Sequence, residues 1–136
     1  MTLTTTQAQA FLNDNFADWV RALDLTICDI GPEGATLRMP ITPKLARVGG
    51  ILSGQALAAM ADTAMVFACA GHMGEFRPVA TTNLDTQFLR PGTGDAVRCI
   101  AEIVRAGRSL IFARATLIAE PSEKPVATAT ATFFVP

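Results

Sequence analysis

A run of small and apolar residues over positions 56–70 constrains the fold of this 136-residue chain more than any other feature. Its apolar side chains recur at helical spacing and its alanines allow close packing on all sides, so we predict a long, largely buried helix. Ser53 can accept hydrogen bonds from the first N–H groups of this helix, and we expect Gly71 and Gly74 to end it. The run is interrupted by Asp62 and is too short to cross a bilayer, so we expect no membrane association.

The second half of the chain changes to an alternation with a period of two. Four segments rich in Val, Ile, Thr and Phe are separated by short turns, which predicts neighbouring antiparallel strands over residues 79–89, 96–104, 110–118 and 126–135. The last segment alternates alanine with threonine, so one of its faces can pack tightly while the other stays polar.

The first fifty residues predict three further features. An amphipathic N-terminal helix opens the chain over residues 6–23. A hairpin follows, with strands over 25–30 and 35–39 around a Gly-Pro-Glu-Gly turn, and residues 40–50 read as a loop rich in proline, glycine and basic side chains. The most economical arrangement is an α+β fold in which a strongly curved antiparallel sheet wraps around one long central helix, and we expect one domain spanning residues 1–136.

Composition narrows the classes of partner. Half of the residues are apolar, which is high for a water-soluble monomer of this size, so we expect a homo-oligomer that buries apolar surface between subunits. The formal net charge is −1 and the basic residues are scattered, so no nucleic acid partner is expected. The N-terminal residues do not resemble a secretion signal, which makes the cytoplasm the expected location. Cys28, Cys69 and Cys99 lack the spacing of a metal site, so we expect them to fill the core and expect no bound metal.

A single carboxylate, Asp62, lies within the apolar helix and is the strongest candidate for chemistry. Burying a carboxylate costs free energy unless it has hydrogen-bond donors, a cation or a functional cleft. Asp62 therefore either serves a site, or it binds a nearby backbone N–H or faces solvent. At the start of the same helix, the free N–H groups of Gly54 and Gln55 can hold a carbonyl oxygen that becomes negative during attack, although Gly54 can also simply relieve packing against a strand.

The segment over residues 47–64 combines these features in one pattern, in which Arg-Val-Gly-Gly-Ile-Leu-Ser-Gly-Gln leads into the helix that carries Asp62. It resembles the signature of hot-dog thioesterases such as the phenylacetyl-CoA and 4-hydroxybenzoyl-CoA enzymes. The resemblance covers residues 25–135 and extends to the family's later strands and CoA-contacting turns, at residues 81–84, 88–92, 104–109 and 127–133. It implies a hot-dog fold whose sheets join edge to edge in a dimer, often paired again into a tetramer, with sites at the subunit interface.

The resemblance also implies a role for each matching residue. Asp62 acts as nucleophile or general base on an acyl-CoA or aryl-CoA thioester, whose carbonyl is polarised by the Gly54 N–H of the same or the opposite subunit. Thr81 positions the attacking water, and no cofactor is needed beyond the CoA thioester as substrate. The residues expected to contact the substrate or its CoA arm are Arg47, Gln55, Phe88, Arg90, Arg105, Gly107, Arg108 and Ser109. Of these, Arg105 and Arg108 can meet the CoA phosphates.

Three positions depart from the family pattern, which usually has Asn where this chain has Arg47, His where it has Ser53 and Gly where it has Gln55. The missing His removes a side chain that helps to orient the oxyanion region in relatives, and Ser53 can supply only a weaker hydrogen bond in its place. Arg47 either attracts an anionic acyl group or pairs with Asp62, and such a pair would lower the pKa of that carboxyl.

Thioester hydrolysis to the free acid and CoA is the leading hypothesis. The alternative, from a different functional class, is a non-catalytic acyl-CoA-binding or fatty-acid-binding protein of the same fold that has kept the pocket without turnover. A dehydratase of this fold is disfavoured, because those relatives use a catalytic His and the sole histidine here, His72, lies outside the motif. We expect His72 to satisfy carbonyl groups at the end of the long helix.

Overall fold

Residues 2–136 are described by a computed structural model. Two helices, α1 (Thr5–Asn15) and α2 (Asp18–Arg21), open the chain and are followed by the hairpin of β1 (Thr26–Gly31) and β2 (Gly34–Pro40). A short 3₁₀ turn (Pro43–Leu45) and the two-residue strands β3 (Ala46–Arg47) and β4 (Ile51–Leu52) lead to the long helix α3 (Gly54–Met73). The remaining strands are β5 (Ala80–Phe88), β6 (Ala96–Ala106), β7 (Leu110–Glu120) and β8 (Pro125–Phe134).

Six of the strands form one antiparallel sheet in the order β1-β2-β6-β7-β8-β5, while β3 and β4 pair with each other. The helix α3 packs across one face of this sheet and contacts all six of its strands. This confirms the predicted arrangement of an antiparallel sheet around one central helix, with an N-terminal helix added to it. The four strands predicted in the second half are also present, each as a long segment close to its predicted position.

Small side chains line the contact between α3 and the sheet. Every second residue of β7 is buried, β8 follows nearly the same alternation, and most of these buried residues are alanine. The buried alanines of these three elements are Ala56, Ala61, Ala64, Ala68 and Ala70 on α3 and Ala113, Ala115, Ala119, Ala127, Ala129 and Ala131 on β7 and β8. Because an alanine side chain projects so little, the backbones of helix and sheet can approach closely in a densely packed interior.

The strand β5 lies at one edge of the sheet, where β8 is its neighbour. Eight of its nine residues are exposed, so neither of its faces is well covered by the rest of the chain. Its outer edge presents a row of backbone N–H and C=O groups to solvent. A long and exposed edge strand of this kind favours pairing with a strand of another chain.

The opening helix does not run through to residue 23 as predicted. It ends at Asn15, and Phe16 follows with an extended backbone and a ring that stacks on Phe67 with the ring centroids 5.4 Å apart. The prediction that Gly71 ends the long helix was also wrong, because α3 continues through it to Met73. Gly74 ends the helix as predicted, in the left-handed conformation with a φ of 72°.

Three further details refine the prediction. Residues 40–50 are not only a loop, since they contain the 3₁₀ turn and β3. Cys69 and Cys99 are buried as predicted, whereas Cys28 is exposed, so that prediction was wrong. The helix α3 is long and apolar enough to cross a membrane, but 67% of its most apolar stretch is buried inside the fold. A helix buried to this extent is typical of a protein core.

Candidate functional site

The start of α3 presents two free backbone donors. Ser53 is the N-cap, as predicted, and its hydroxyl oxygen accepts a hydrogen bond from the Ala56 N–H at 3.2 Å. The N–H groups of Gly54 and Gln55 donate no hydrogen bond within residues 2–136. These groups carry the partial positive charge of the helix dipole, so the start of α3 can hold a carbonyl oxygen that gains negative charge.

A cavity of about 320 Å³ lies beside Gly54. The ring of Phe88 approaches this glycine so closely that an added Cβ would lie 3.3 Å from the Phe88 Cζ atom. Arg47 and Arg90 line the same cavity, which therefore brings together four of the predicted residues. The rest of its wall is formed by Ile51, Leu52, Leu57, Leu89, Pro91 and Gly92.

Asp62 lies half-buried in the middle of α3 and contacts the edge strand. Its carboxylate accepts a hydrogen bond from the Thr81 hydroxyl, with Oγ1 and Oδ1 2.9 Å apart. Burial raises the pKa of Asp62 above its ordinary value, and the bond from Thr81 opposes part of this rise because it favours the charged form. The structure thus brings two of the predicted residues together and makes Asp62 a stronger base than an ordinary aspartate.

The surroundings of Asp62 exclude two of the alternatives that the sequence left open, a bond from a nearby backbone N–H and a pair with Arg47. Within residues 2–136, Asp62 accepts no backbone N–H and forms no ion pair. The possible pairing of Arg47 with Asp62 is therefore not present, and the Arg47 guanidinium instead donates to the Val48 carbonyl at 3.4 Å. No neighbouring cation of the described chain lowers the pKa of this carboxyl.

Asp62 and Gly54 of one chain are too far apart to act on the same carbonyl group. They are separated by eight residues of α3, which corresponds to ~12 Å at the rise of an α-helix. An attacking group and an oxyanion donor must each lie within about 3 Å of the reacting atoms. Within one chain, the position of Asp62 therefore lacks an oxyanion donor, and the position of Gly54 lacks an attacking group.

The predicted CoA-contacting turn joins β6 to β7 beside the C-terminal end of α3. Gly107 and Arg108 line a second cavity of about 310 Å³ together with His72 and Arg77. The side chains of Arg105 and Ser109 are exposed and do not line this cavity. The turn itself is held by backbone hydrogen bonds. The Gly107 N–H donates to the Leu110 carbonyl at 2.8 Å, and the Val135 N–H donates to the Ser109 carbonyl at 2.7 Å.

His72 and Gln55 lie away from the groups that the sequence assigned to them. His72 does not satisfy carbonyls at its own helix end, because its Nδ1 lies 3.2 Å from the Pro32 carbonyl in the β1–β2 turn. Gln55 is exposed on the first turn of α3 and lines neither cavity. Among residues 2–136, no group of three or more His, Cys, Asp or Glu side chains is arranged to hold a metal ion.

Sequence reasoning missed several residues of the two cavities. Ile51, Leu57 and Leu89 lie within two positions of predicted residues along the chain, but an apolar side chain carries no chemical signal of its own. Arg77 was missed because it is a single basic residue between the helix and β5, and its position near Arg108 depends on the packing of β6 and β7 against α3.

Comparison with known proteins relates this geometry to a family. A family model described as the thioesterase superfamily matches residues 49–126. No curated protein matches the chain. Among solved structures, a thioesterase family protein from Silicibacter pomeroyi is 28% identical, with a TM-score of 0.83 and 93% of each chain covered.

Two more distant structures are similar in fold. A thioesterase from Haemophilus influenzae has a TM-score of 0.89 at 20% identity, with 100% of this chain and 92% of that chain covered. The zebrafish thioesterase superfamily member 2 has a TM-score of 0.87 at 18% identity, with 99% of this chain and 100% of that chain covered. In both cases the similarity extends over the central helix and the whole sheet around it.

Proposed function

This chain belongs to the thioesterase superfamily and has the hot-dog fold, and from this premise we propose that it hydrolyses an acyl-CoA or aryl-CoA thioester to the free acid and CoA. The observation that carries the proposal is the hydrogen bond between Thr81 and Asp62. It pairs a half-buried carboxylate of raised pKa with a hydroxyl at an open sheet edge. Such a costly placement of a charge is typical of a functional residue.

Asp62 supplies the base of the reaction, and Thr81 positions the water. The carboxylate takes a proton from the water while the water oxygen attacks the carbonyl carbon of the thioester. The carbon–sulfur bond then breaks, and CoA leaves as a thiol after it takes up that proton. Direct attack by the carboxylate, followed by hydrolysis of the resulting anhydride, gives the same products. Both routes need Asp62 in its charged form.

The position of β5 supports a site that two copies of the chain share. Thr81, beside Asp62, lies at one end of this strand, and Phe88, beside Gly54, lies at the other. In an antiparallel pair of two β5 strands centred near Leu84, Thr81 of one copy lies opposite Phe88 of the other. Asp62 of one chain and the Gly54 N–H of its partner then face one thioester, which accounts for their separation within a single chain.

The second cavity is suited to the phosphates of CoA. Arg77, Arg108 and His72 surround it, so it offers cationic and polar groups to an anion. His72 lies ten residues beyond Asp62 on α3, which corresponds to ~15 Å. This distance suits the pantetheine arm that links the thioester to the phosphates of CoA.

The direct test of the proposed function follows the release of thiol from short, medium and aromatic acyl-CoA thioesters with a chromogenic thiol reagent. Wild-type protein should release thiol from at least one of them, and Asp62→Asn should lose at least about a hundredfold in kcat, the usual contribution of a general base. Reactions without substrate give the background from the exposed thiol of Cys28. Intact thioesters after prolonged incubation with the wild type would refute hydrolysis.

A second pair of variants isolates the oxyanion donor. Gly54→Pro removes the N–H at the first position of α3, where proline is well tolerated, and Ser53 already has the extended backbone that precedes proline. Gly54→Ala adds a side chain but keeps the N–H. We expect Gly54→Pro to lose about a hundredfold or more in kcat and Gly54→Ala to lose much less. Equal activity of the two variants would exclude a role for this N–H.

One observation favours the non-catalytic alternative. The hydroxyl oxygen of Ser53 accepts a hydrogen bond from the Ala56 N–H, and this bond holds the side chain against the first turn of α3, so the hydroxyl is less free to orient a thioester. A binding protein would take up intact acyl-CoA without releasing thiol. Calorimetric titration combined with the thiol assay separates the two functions, because heat of binding without product identifies the binding protein.

A further inference from the structure

The cavity beside Gly54 contains two cations that the described chain does not neutralise. Arg47 and Arg90 line it, and neither forms an ion pair within residues 2–136. Instead, Arg47 donates to the backbone carbonyl of Val48, and Arg90 donates to that of Pro125. Because no Asp or Glu among these residues lines the cavity, it offers a positive potential to a bound molecule.

The remainder of the cavity wall is apolar. Ile51, Leu57 and Phe88 lie on the wall that also contains the Gly54 backbone. At about 320 Å³ the cavity is of the size that holds a small organic group, and it is far too small for a whole CoA molecule. A molecule that fits both features has a short apolar body and an anionic end.

The phosphates of CoA do not provide that anionic end if Gly54 holds the thioester carbonyl. The pantetheine arm places about a dozen covalent bonds between the thioester and the phosphates, so the extended arm is well over 10 Å long. Gly54, Arg47 and Arg90 line one small cavity, whereas the arm needs a far longer path. The acyl group, which begins at the carbonyl itself, is therefore the part of the substrate within reach of the arginines.

We propose that this cavity selects acyl groups that end in a carboxylate, as in the CoA thioesters of short dicarboxylic acids; this inference rests on the proposed thioesterase function. The Gly54 N–H binds the thioester carbonyl, and the apolar wall packs against the methylene chain. The guanidinium groups of Arg47 and Arg90 bind the terminal carboxylate, a geometry to which arginine is well suited. This assigns a role to Arg47, which has no carboxylate partner in the described chain.

The test compares thioesters of matched length, adipoyl-CoA against hexanoyl-CoA and glutaryl-CoA against pentanoyl-CoA. In the wild type, kcat/KM should be at least about tenfold higher for the carboxylated member of each pair, as expected for one charge-assisted hydrogen bond. Arg47→Gln and the double variant with Arg90→Gln should bring this ratio towards one. Arg114→Gln, which changes an exposed arginine outside the cavity, should leave the ratio unchanged.

Two results would overturn the proposal. The first is a wild type that prefers the neutral thioesters or treats both members of a pair alike. The second is an equal loss for both members in Arg47→Gln when CoA thioesters are used, together with no loss for the phosphate-free N-acetylcysteamine thioesters. That pattern would show that the arginines bind the phosphates of CoA. Circular dichroism melts confirm that the variants fold.

Failure of the proposed thioesterase function is distinguishable from failure of the proposed selection for acyl groups that end in a carboxylate. If no thioester is hydrolysed, the affinities of intact adipoyl-CoA and hexanoyl-CoA can be measured by calorimetry. Selection then predicts tighter binding of adipoyl-CoA by about tenfold in the wild type and a smaller difference in Arg47→Gln. Equal affinities for adipoyl-CoA and hexanoyl-CoA would refute the preference for a terminal carboxylate, whether or not the protein hydrolyses thioesters.

Discussion

The carboxyl group of Asp62 is subject to two opposing effects. Burial in α3 raises its pKa, and the hydrogen bond from Thr81 lowers it. Because Thr81 belongs to the edge strand, the balance depends on a tertiary contact between two elements. A change in the position of β5 relative to α3 therefore changes the protonation of Asp62.

Thr81→Ala should shift the acid limb of the pH–rate profile to higher pH. The reaction needs charged Asp62, so kcat/KM falls as the pH drops through the pKa of this carboxyl. Removal of the hydrogen bond withdraws support from the charged form and raises that pKa further, which moves the acid limb. At neutral pH the rate should fall about tenfold because the hydroxyl that positions the water is lost. Thiol release measured across the pH range reports the shift. Thr81→Ser keeps the hydroxyl and should restore the wild-type limb, whereas an unmoved limb in Thr81→Ala would contradict the assignment.

For single residues, the sequence predicts the features that depend only on neighbouring positions in the chain. A carboxylate in an apolar helix, a capping serine and a glycine behind it are visible as Asp62, Ser53 and Gly54. The contact between Asp62 and Thr81 joins residues 19 positions apart, and the role of Thr81 followed only from the family resemblance. The partner of Arg47 was not predictable, because it depends on the path of the turn between β3 and β4.

Among the elements, Gly71 sets how closely α3 approaches the β1–β2 hairpin. A Cβ at this position would overlap the Gly31 carbonyl oxygen and would lie 3.0 Å from the Ile30 Cγ1 atom. Backbone atoms cannot rotate out of the way, so Gly71→Ala should lower the free energy of unfolding by about 1–3 kcal/mol despite the better helix propensity of alanine. Gly31→Ala is the matched control, because a Cβ there meets nothing within 4 Å. Urea unfolding at one protein concentration compares them, and equal losses would disprove the close approach.

An ion-pair network links the ends of β2, β6 and β7. Glu120 accepts hydrogen bonds from Arg38 at 3.0 Å and from Arg98 at 2.9 Å. The Arg38 guanidinium, assisted by that of Arg98, holds the pKa of Glu120 below its ordinary value although desolvation acts in the opposite direction. A carboxylate of this kind stabilises the fold above its unfolded-state pKa, and the contribution is lost as the pH falls through its lower folded-state pKa.

Glu120→Gln should therefore cost about 0.5–1 kcal/mol at neutral pH, the size expected for a network of partly exposed charges. The difference from the wild type should shrink as the pH falls below the ordinary pKa of a glutamate and should disappear once the pH is below the lower folded-state pKa of Glu120, where this carboxyl is protonated in both states. It should also shrink at high salt. Thermal melts under these conditions measure it, with Glu102→Gln as a control because its ion pair with Arg114 is longer, at 3.7 Å. A difference that persists in acid would show that the charge of Glu120 is not its cause.

The elements were predictable to the extent that their signals are local. The strands of the second half follow from alternation within each segment, and the cap at Ser53 follows from one side chain. The break at Phe16 depends on the ring of Phe67, which comes from another helix. Gly71 carries the usual signal of a helix end, yet its contact with the hairpin explains why glycine is needed inside the helix.

For the molecule as a whole, two inactive variants can test whether the site is shared between chains. Asp62→Asn lacks the base, and Gly54→Pro lacks the oxyanion donor. If each site takes one group from each chain, a heterodimer of the two variants has one intact site and one site with both defects. Random exchange of subunits should then restore about one quarter of the wild-type activity.

The measurement compares thiol release before and after the two variants are unfolded together and refolded. Each variant refolded alone is the control, and sedimentation establishes that the refolded samples have the assembly state of the wild type. A mixture that stays inactive would place both groups in a site formed within one chain, which the ~12 Å between them in α3 argues against.

The alanine-lined contact between α3 and the sheet restricts how this protein can evolve. An alanine can give up no more than a methyl group, so substitutions cannot hollow out the interior beneath the helix, and larger side chains would force helix and sheet apart. Tolerated variation is therefore confined to the rim, at exposed positions such as Phe88 and Leu89. Relatives of this protein should therefore change their substrate preference through residues that line the cavity beside Gly54, while the alanines between α3 and the sheet stay the same.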